Sequence, residues 1–411
     1  MRVRAALAFV LVMAPALGAS EPQTEQDWLH VIAQLKQQLQ DVPSHAAKKQ
    51  QLAVAYNNYG VSLGNQGKLL DAKRELQEAL DLDAGNAQFK ANLVSIHLQA
   101  AQAAQREHDA VNAKRELQQA LALDPKNAQA YALLGELEYS SQHLREAKTA
   151  WQKAYQIDPS IPGLKDRFDQ VQDELPVEST FEKLSQSSFD IRYNEGVPRS
   201  TSYDIQSALI TARREVGTDF KMWPRHKLLV LVYDAQQFRQ MRQNTPDWVA
   251  GQFDGKIRVP LPSAQLNQGL VRNIMFHEYT HALIYDLTAG HCPNWLNEGL
   301  AEYEGRTQFS QPLKLLADAH HAQTLIPWAE LSDRFGPTLP IEQVGLAYEQ
   351  SYSMVAYLVD RYGFWRVRRL LKALAGGTPW ETAVAAEFRM KLPRLEADWR
   401  QELPKFLSTR Q

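Results

Sequence analysis

Two histidines four residues apart form the part of this sequence best suited to chemistry. His277 and His281 enclose the segment His-Glu-Tyr-Thr-His, and Glu278 lies between them. In a helix, residues four apart project from one face, so both imidazoles can bind a single zinc ion. The Glu278 carboxylate would then reach a water on that zinc without being a ligand. This favours a catalytic zinc site, because a structural site has no use for an acid beside the metal.

A catalytic zinc ion takes three protein ligands and keeps a fourth position for water, so one ligand must come from elsewhere. Glu298 is the best candidate, because the stretch after His281 is long enough for a loop and the start of an antiparallel second helix. Glu302, one helical turn beyond Glu298, is placed to accept a hydrogen bond from the outer N–H of a ligand histidine. Glu302, His291 and Asp286 are the alternatives to Glu298 as the third ligand.

A second motif makes the resemblance to a known family specific. Residues Trp295 to Tyr303 read Trp-Leu-Asn-Glu-Gly-Leu-Ala-Glu-Tyr. With the histidine segment, this resembles the gluzincin metallopeptidases, and most closely their peptidase MA-like group. The metzincin pattern does not fit, because the positions where it needs Gly and His hold Ile284 and Leu287. The alternative is a helix whose histidines are merely buried and hydrogen-bonded.

The resemblance also implies a tyrosine that donates a hydrogen bond to the oxyanion formed when water attacks a peptide carbonyl. Residues Tyr348 to Leu358 resemble the helix that carries this tyrosine in aminopeptidase-like gluzincins, and Tyr348 falls on the catalytic position. The glycine-bearing part of that motif is replaced by Ser351 and Tyr352. Tyr352, one turn further along the same helix face, is therefore the alternative. A third possibility is that both tyrosines serve only in packing.

A small β-rich lobe is predicted before the zinc segment. Ser188 to Tyr193 alternates like a strand, and Lys227 to Tyr233 is a run typical of a buried strand. A helix is predicted between them, over Ser202 to Val216. Lys256 to Leu261 is typical of an edge strand because Pro260 and Pro262 cannot donate to a ladder. In gluzincins such an edge strand pairs with extended substrate, so the resemblance implies substrate contacts at Gly251, Gln252 and Phe253.

The zinc segment and the residues after it predict a mainly helical lobe. Apolar residues recur at helical spacing in the zinc helix, as they do in the helices that follow. The predicted helices are Asn267 to Leu287, Asn294 to Glu304, Ile341 to Tyr362, Trp365 to Ala375 and Pro379 to Met390.

Residues Gln50 to Ser160 contain an internal repeat. Ala79, Ala120 and Ala154 occupy equivalent positions, and the last two are separated by 34 residues. A 34-residue period with small residues where helices cross resembles tetratricopeptide repeats. Three repeats are predicted, at about 53–86, 87–127 and 128–161, with flanking helices at 24–40 and 162–174. The middle repeat is longer, which two extra turns in its first helix, Ala87 to Arg106, would accommodate.

The resemblance to these repeats implies a face that binds a protein partner or substrate. The positions that would carry a basic clamp for a peptide carboxylate hold Asn57, Gln129 and Leu133, so this binding mode is not expected. The alternative is a spacer packed against the catalytic domain.

The N-terminal residues predict export. Arg2 and Arg4 precede an apolar run from Ala5 to Met13, and small residues follow as far as Ser20. This is the pattern of a cleaved secretory signal, and the run is too short for a stable bilayer anchor. A periplasmic or secreted location without a membrane anchor is therefore expected. The net charge of −2 gives no electrostatic case for a nucleic-acid partner, and the single cysteine, Cys292, permits no intramolecular disulfide.

The predicted architecture is α+β, with a signal peptide at 1–19, a helical repeat domain at 20–175 and a gluzincin-like metallopeptidase domain at 176–411. The predicted function is an exported zinc metallopeptidase whose repeats position a protein partner. A non-catalytic scaffold with a structural or absent zinc is one alternative, and zinc-dependent hydrolysis of a non-peptide substrate is another. The sequence leaves endopeptidase and exopeptidase action equally open.

Overall fold

The computed structural model of the protein describes residues 11–14, 24–234, 236, 238, 255–261, 267–336 and 339–409. The chain divides into two compact units, Met1–Pro176 and Val177–Gln411. Helices dominate, and a small four-stranded sheet accompanies them, which confirms the α+β prediction. None of the helices in the described part of the chain combines the length and the apolar composition needed to cross a membrane.

In the described part of the first unit, all regular secondary structure is helical. Its helices run one after another with short connections, which is typical of helices that pack against their neighbours in sequence. They are α1 (Glu25–Asp41), α2 (Ala46–Asn65), α3 (Leu69–Leu82), α4 (Ala87–Arg106), α5 (Ala110–Leu123), α6 (Ala128–Ser140), α7 (Leu144–Ile157) and α8 (Leu164–Glu178).

Consecutive helices of this unit pack as pairs, α2 with α3, α4 with α5 and α6 with α7. Small residues permit this approach: a Cβ at Gly135 would lie 2.3 Å from the Trp151 ring of the paired helix. The first helix of the middle pair, α4, has 20 residues, and so does α2 of the first pair, whereas α6 has 13, so a longer first helix does not distinguish the middle repeat from the first. The region is therefore helical as expected, and its assignment to the tetratricopeptide family stays a prediction.

The second unit combines the sheet with a further set of helices. The strands are β1 (Glu182–Ser185), β2 (Phe189–Tyr193), β3 (Leu228–Asp234) and β4 (Lys256–Leu261). The helices are α9 (Arg199–Phe220), α10 (Gln268–Thr288), α11 (Asn294–Arg306), α12 (Lys314–His321), α13 (Trp328–Leu331), α14 (Ile341–Tyr362), α15 (Phe364–Ala375), α16 (Trp380–Phe388) and α17 (Leu392–Ser408).

The four strands lie in sequence order, β1-β2-β3-β4. β1 pairs antiparallel with β2, and the β2–β3 and β3–β4 pairs are parallel, so that Ile191 lies opposite Val230 and Val230 opposite Ile257. α9 makes the crossover between β2 and β3, as a parallel pair requires. The predicted edge strand, β4, is at one end of this order among the described residues. β1, at the other end, was not predicted.

One face of the sheet belongs to the main core of the second unit. Ile191, Val230 and Ile257 are fully buried there with residues of α9 and α10. The opposite face of β3 packs against Phe238 through Leu231 and Tyr233, which are also fully buried. A strand covered on both faces reads as a continuous apolar run, which explains the sequence of β3.

Candidate active site

α10 presents both histidines of the motif on one face. The helix begins after Asn267, whose side-chain oxygen accepts the Leu270 N–H at 2.7 Å. The Nε2 atoms of His277 and His281 lie 3.1 Å apart, and the His281 side chain is buried. Glu278, one position round the helix from His277, is also buried. The helical spacing therefore brings two imidazole nitrogens to one point with a carboxylate beside them.

α11 brings a third candidate ligand to the same point. Glu298 Oε2 lies 3.3 Å from His281 Nε2 and 3.7 Å from His277 Nε2. A tetrahedral zinc ion with ligands at about 2.0–2.1 Å separates its ligand atoms by roughly 3.3 Å. The three side chains therefore fit a zinc ion in both donor chemistry and spacing. They form a group whose possible ligand atoms all lie within 4.8 Å of one another.

Glu302 lies behind His277, one turn along α11 from Glu298. Its Oε1 is 3.3 Å from His277 Nδ1, the ring nitrogen opposite the one that faces Glu298. Arg306 Nε donates to Glu302 Oε2 at 2.7 Å, and Arg306 Nη1 donates to the Gln311 carbonyl at 2.8 Å. The sequence reasoning did not identify Arg306. The signal was available, because an arginine four residues after a glutamate on a helix is placed to pair with it.

The buried charges of the site shift one another's pKa values. Burial alone would lower the pKa of His281, but the nearby Glu298 carboxylate raises it to about 9. Burial raises the pKa of Glu302, but the interactions with His277 and Arg306 lower it by more. The pKa of Glu302 is therefore about 2. For Glu278 burial dominates, and its pKa lies above the ordinary value despite the two histidines. Glu302 is thus held as an anion, whereas Glu278 is tuned towards accepting a proton.

The two candidate tyrosines lie one turn apart on α14 but have different surroundings. The Tyr348 hydroxyl lies near the Glu298 carboxylate, which acts on the pKa of Tyr348 both as a charge and as a hydrogen-bond acceptor. Burial and the charges of the nearby glutamates raise its pKa well above the ordinary value. The Tyr352 ring instead packs against Phe406 and lies 4.8 Å from the Arg306 guanidinium. Of the two, Tyr348 is therefore the one that reaches the group of candidate ligands.

Residues 206–405 match the family model of the Peptidase MA superfamily. The chain contains a peptidase MA-like domain. This domain extends from within α9 into α17 and includes every residue of the candidate site. At this coarse level it indicates peptidase activity. No curated protein shows significant similarity to the chain.

Within the peptidase MA-like domain, two side chains next to Tyr348 anchor α14. Glu349 accepts the Leu316 N–H at 2.8 Å, in the first turn of α12. Gln350 pairs with both main-chain groups of Ile326, at 3.0 and 2.6 Å. Neither residue was identified from sequence, because their partners are brought near only by folding. Their contacts restrict how the helix that carries Tyr348 can move.

Gly299 permits the close approach of α11 to α14. A Cβ at this position would lie 2.6 Å from the Ser351 carbonyl oxygen and 2.7 Å from Val355 Cγ2. The neighbour is main chain, so it cannot rotate away. The glycine after Glu298 thus allows the helix of the third candidate ligand to pack directly on the helix of Tyr348.

The remaining predicted residues of the peptidase MA-like domain lie elsewhere. Gly251, Gln252 and Phe253, predicted to contact substrate, are outside the described residues. Asp286 is 3.9 Å from His226, and its pKa is raised to about 6 by burial. Asp286 and His291 are not members of the group formed by His277, His281 and Glu298. Cys292 is also outside that group, and burial raises the pKa of its thiol.

Proposed function

We propose that this protein is an exported zinc-dependent metallopeptidase that hydrolyses peptide bonds. The observation that carries the proposal is the convergence of His277 Nε2, His281 Nε2 and Glu298 Oε2 beside the buried Glu278 carboxylate. These three atoms would hold zinc, which when bound polarises the scissile carbonyl and lowers the pKa of a water molecule. The peptidase MA-like domain supports the same class of activity.

Glu278 is the general base of the proposed reaction. Its carboxylate accepts a proton from the attacking water and then delivers it to the leaving amine, so the group returns to its starting state. A base of this kind works best when its pKa approaches the working pH. The burial that raises the pKa of Glu278 supports this role.

Tyr348 is the proposed oxyanion donor. Negative charge develops on the carbonyl oxygen as the water attacks, and a fixed O–H donor stabilises that charge. The raised pKa of Tyr348 keeps the phenol protonated and able to donate.

Glu302 and Arg306 are positioning residues. With Glu302 as an anion beside His277 Nδ1, that nitrogen carries the proton, and Nε2 keeps its lone pair for the metal. Arg306 holds Glu302 in place at 2.7 Å.

The first unit is proposed to be a tetratricopeptide module that binds a protein partner or substrate. Its paired helices and small residues at crossing points support this assignment. Export through the signal peptide at 1–19 is part of the same proposal, and so is a periplasmic or secreted location.

The decisive test compares Glu278→Gln protein with the wild type. The amide keeps the size of the carboxylate but cannot accept a proton, so hydrolysis of unfolded casein should fall by roughly 10²–10⁴-fold. Zinc content, measured by mass spectrometry, should stay near one per chain in the variant. Glu342→Gln, an exposed position on α14, is the matched control and should retain full activity.

Two further measurements separate the proposal from its alternatives. His281→Ala and Glu298→Ala should each lose zinc, and a chelator should abolish casein cleavage by the wild type. Zinc-loaded Glu278→Gln protein with wild-type turnover would refute the mechanism. A zinc-loaded wild type that cleaves no peptide would instead favour the scaffold or a non-peptide substrate.

A further inference from the structure

Two asparagines of the first unit hold a short segment of the chain by its main chain. Asn92 Oδ1 accepts the Val12 N–H at 3.1 Å, and Asn92 Nδ2 donates to the Val12 carbonyl at 2.8 Å. Asn58 Oδ1 likewise accepts the Ala14 N–H at 2.8 Å, and Asn58 Nδ2 donates to the Ala14 carbonyl at 2.9 Å. Each amide thus satisfies both main-chain groups of one residue. The two residues are two apart, which is the spacing at which an extended backbone presents the same edge.

A third asparagine joins the other two. Asn57 Nδ2 donates to Asn58 Oδ1 at 2.9 Å, and Asn92 Nδ2 donates to Asn57 Oδ1 at 2.8 Å. All three side chains are at most 1% exposed. Buried amides are unfavourable unless their hydrogen bonds are made. The cluster on α2 and α4 therefore fits a ligand that offers an N–H and a carbonyl at alternate residues, as an extended peptide does.

The side chains of the bound segment show what else the site selects. Ala14 is buried, whereas Val12 and Met13 are 44% and 37% exposed. Leu11 enters a niche beside Ile96 that exists because Gly64 has no side chain: a Cβ there would lie 2.8 Å from Leu11 Cδ1. The niche suits a large apolar residue, and the buried position three residues later suits a small one.

We propose that α2 and α4 form a binding site for an extended segment of another protein, held by its main chain. The segment has a large apolar residue in the Gly64 niche and a small residue three positions later, beside Asn58. Residues 11–14 of the protein's own chain occupy the site in this structure. They lie within the proposed signal peptide at 1–19, so its cleavage would leave the site open for a partner. This inference deepens the proposed partner-binding role of the first unit. It is independent of the zinc chemistry, because its test measures binding and not cleavage.

The test uses the unprocessed full chain, produced without export so that residues 1–19 are retained, and releases its own segment from the site. In Leu11→Asp/Ala14→Lys protein a charge replaces each of the two side chains that enter the site. A fluorescein-labelled peptide with the sequence of residues 9–16 and two added lysines is titrated by fluorescence anisotropy, with EDTA present so that cleavage does not contribute. The released variant should bind it at least about tenfold more tightly than the unprocessed wild type, whose tethered segment competes at a high effective concentration.

N-methylated peptides provide a control that leaves the protein unchanged. A methyl group on the nitrogen of residue 12 or 14 removes a donor to Asn92 or Asn58, and should weaken binding by about tenfold. A methyl group on residue 13 should have little effect, since successive N–H groups of an extended chain point to opposite sides. Equal effects at all three positions, equal binding by wild type and released variant, or no binding to the released variant would each overturn the proposal.

Substitutions on the protein side complete the test. Asn58→Ala and Asn92→Ala in the released variant should each weaken peptide binding by about tenfold, for the same hydrogen-bonding reason. Circular dichroism checks that both variants remain folded. Folded variants that bind the peptide as well as the released protein would contradict the assignment of these two side chains.

Discussion

At the scale of single residues, the structure separates two tyrosines that the sequence leaves as alternatives. Tyr348 and Tyr352 are one turn apart and face the same side of α14, so helical geometry gives both access to the same region. Their neighbours differ: Tyr348 lies near the Glu298 carboxylate, which helps to raise its pKa, whereas Tyr352 packs against Phe406 and Arg306. The roles of oxyanion donor and packing residue are therefore assigned by partners on other elements.

This assignment predicts different results for two conservative substitutions. Tyr348→Phe should lower kcat for peptide hydrolysis by about 10²–10³-fold, because one hydrogen-bond donor to the oxyanion is lost. Tyr352→Phe should change kcat by only a few-fold, since the ring that packs on Arg306 is retained. Steady-state kinetics on a fluorogenic peptide would measure both, at confirmed zinc content. The reverse ranking would transfer the oxyanion role to Tyr352.

We expect the buried carboxyl of Glu304 to make the stability of the protein depend on pH, independently of catalysis. It is 2% exposed, and burial together with the charges of Asp219 and Glu215 raises its pKa to about 8. Below its ordinary pKa of 4.5 the carboxyl is protonated in both folded and unfolded chains. Between pH 4.5 and about pH 8 the carboxyl keeps its proton only in the folded protein. The free energy of unfolding therefore falls as the pH rises through this interval.

Glu304→Gln should remove this dependence, because the amide does not ionise. At pH 8 the variant should exceed the wild type in unfolding free energy by on the order of a few kcal/mol, since each unit of pKa difference corresponds to about 1.4 kcal/mol. Near pH 5 the two should be similar. Urea unfolding at both pH values, with chelator present, measures the difference. Glu342→Gln, at an exposed position, is the control. If Glu304→Gln increased the free energy of unfolding equally at both pH values, the increase would not come from ionisation of Glu304.

At the scale of elements, the site depends on how closely three helices pack. α10 carries the histidines, α11 carries Glu298 and Glu302, and α14 carries Tyr348, and α11 contacts both of the others. Gly299 brings the α11 main chain against Ser351 of α14. A change in this spacing would move Glu298 relative to the histidines without altering any candidate ligand.

Gly299→Ala should therefore weaken zinc binding although no ligand is changed. The added Cβ would meet the Ser351 carbonyl at 2.6 Å, and overpacking of this kind destabilises by about 1–3 kcal/mol. Thermal unfolding and zinc titration would measure the two effects. Gly336→Ala is the matched control, because a Cβ at Gly336 would meet nothing within 4 Å. Unchanged zinc affinity in the Gly299 variant would show that the helices can separate without moving Glu298.

At the scale of the whole molecule, all candidate catalytic and metal-binding residues lie in one unit. His277, Glu278, His281, Glu298 and Tyr348 belong to Val177–Gln411, which has its own buried apolar core. The described apolar residues of the first unit form three further clusters. Each unit thus has the buried surface that independent folding requires.

A chain that begins at Val177 should then bind zinc and cleave a small unstructured peptide with kcat within a few-fold of the full chain. The unit Met1–Pro176 alone, carrying Leu11→Asp/Ala14→Lys, should bind the peptide of residues 9–16 and cleave nothing. Zinc content, peptide hydrolysis and circular dichroism of the two pieces provide the measurements. A folded second unit that no longer binds zinc would mean that the first unit completes the site.

The sequence by itself determined the features that depend on local spacing. The positions of His277 and His281 on one helix face follow from helical periodicity, and α14 has the predicted bounds because its apolar pattern is long and regular. The helical pairs before residue 160 follow in the same way from recurring small residues. Such features require only neighbours along the chain.

Only the tertiary structure decided which distant residues meet. Glu298 was one of several carboxylates that could have completed the ligand group, and its 3.3 Å approach to His281 results from the packing of α11 on α10. The contact between Arg306 and the Tyr352 ring and the main-chain bonds of Asn58 and Asn92 likewise join segments far apart in sequence. Periodicity determines which face a residue occupies, but the opposing residue depends on how whole helices pack, and no local pattern encodes that.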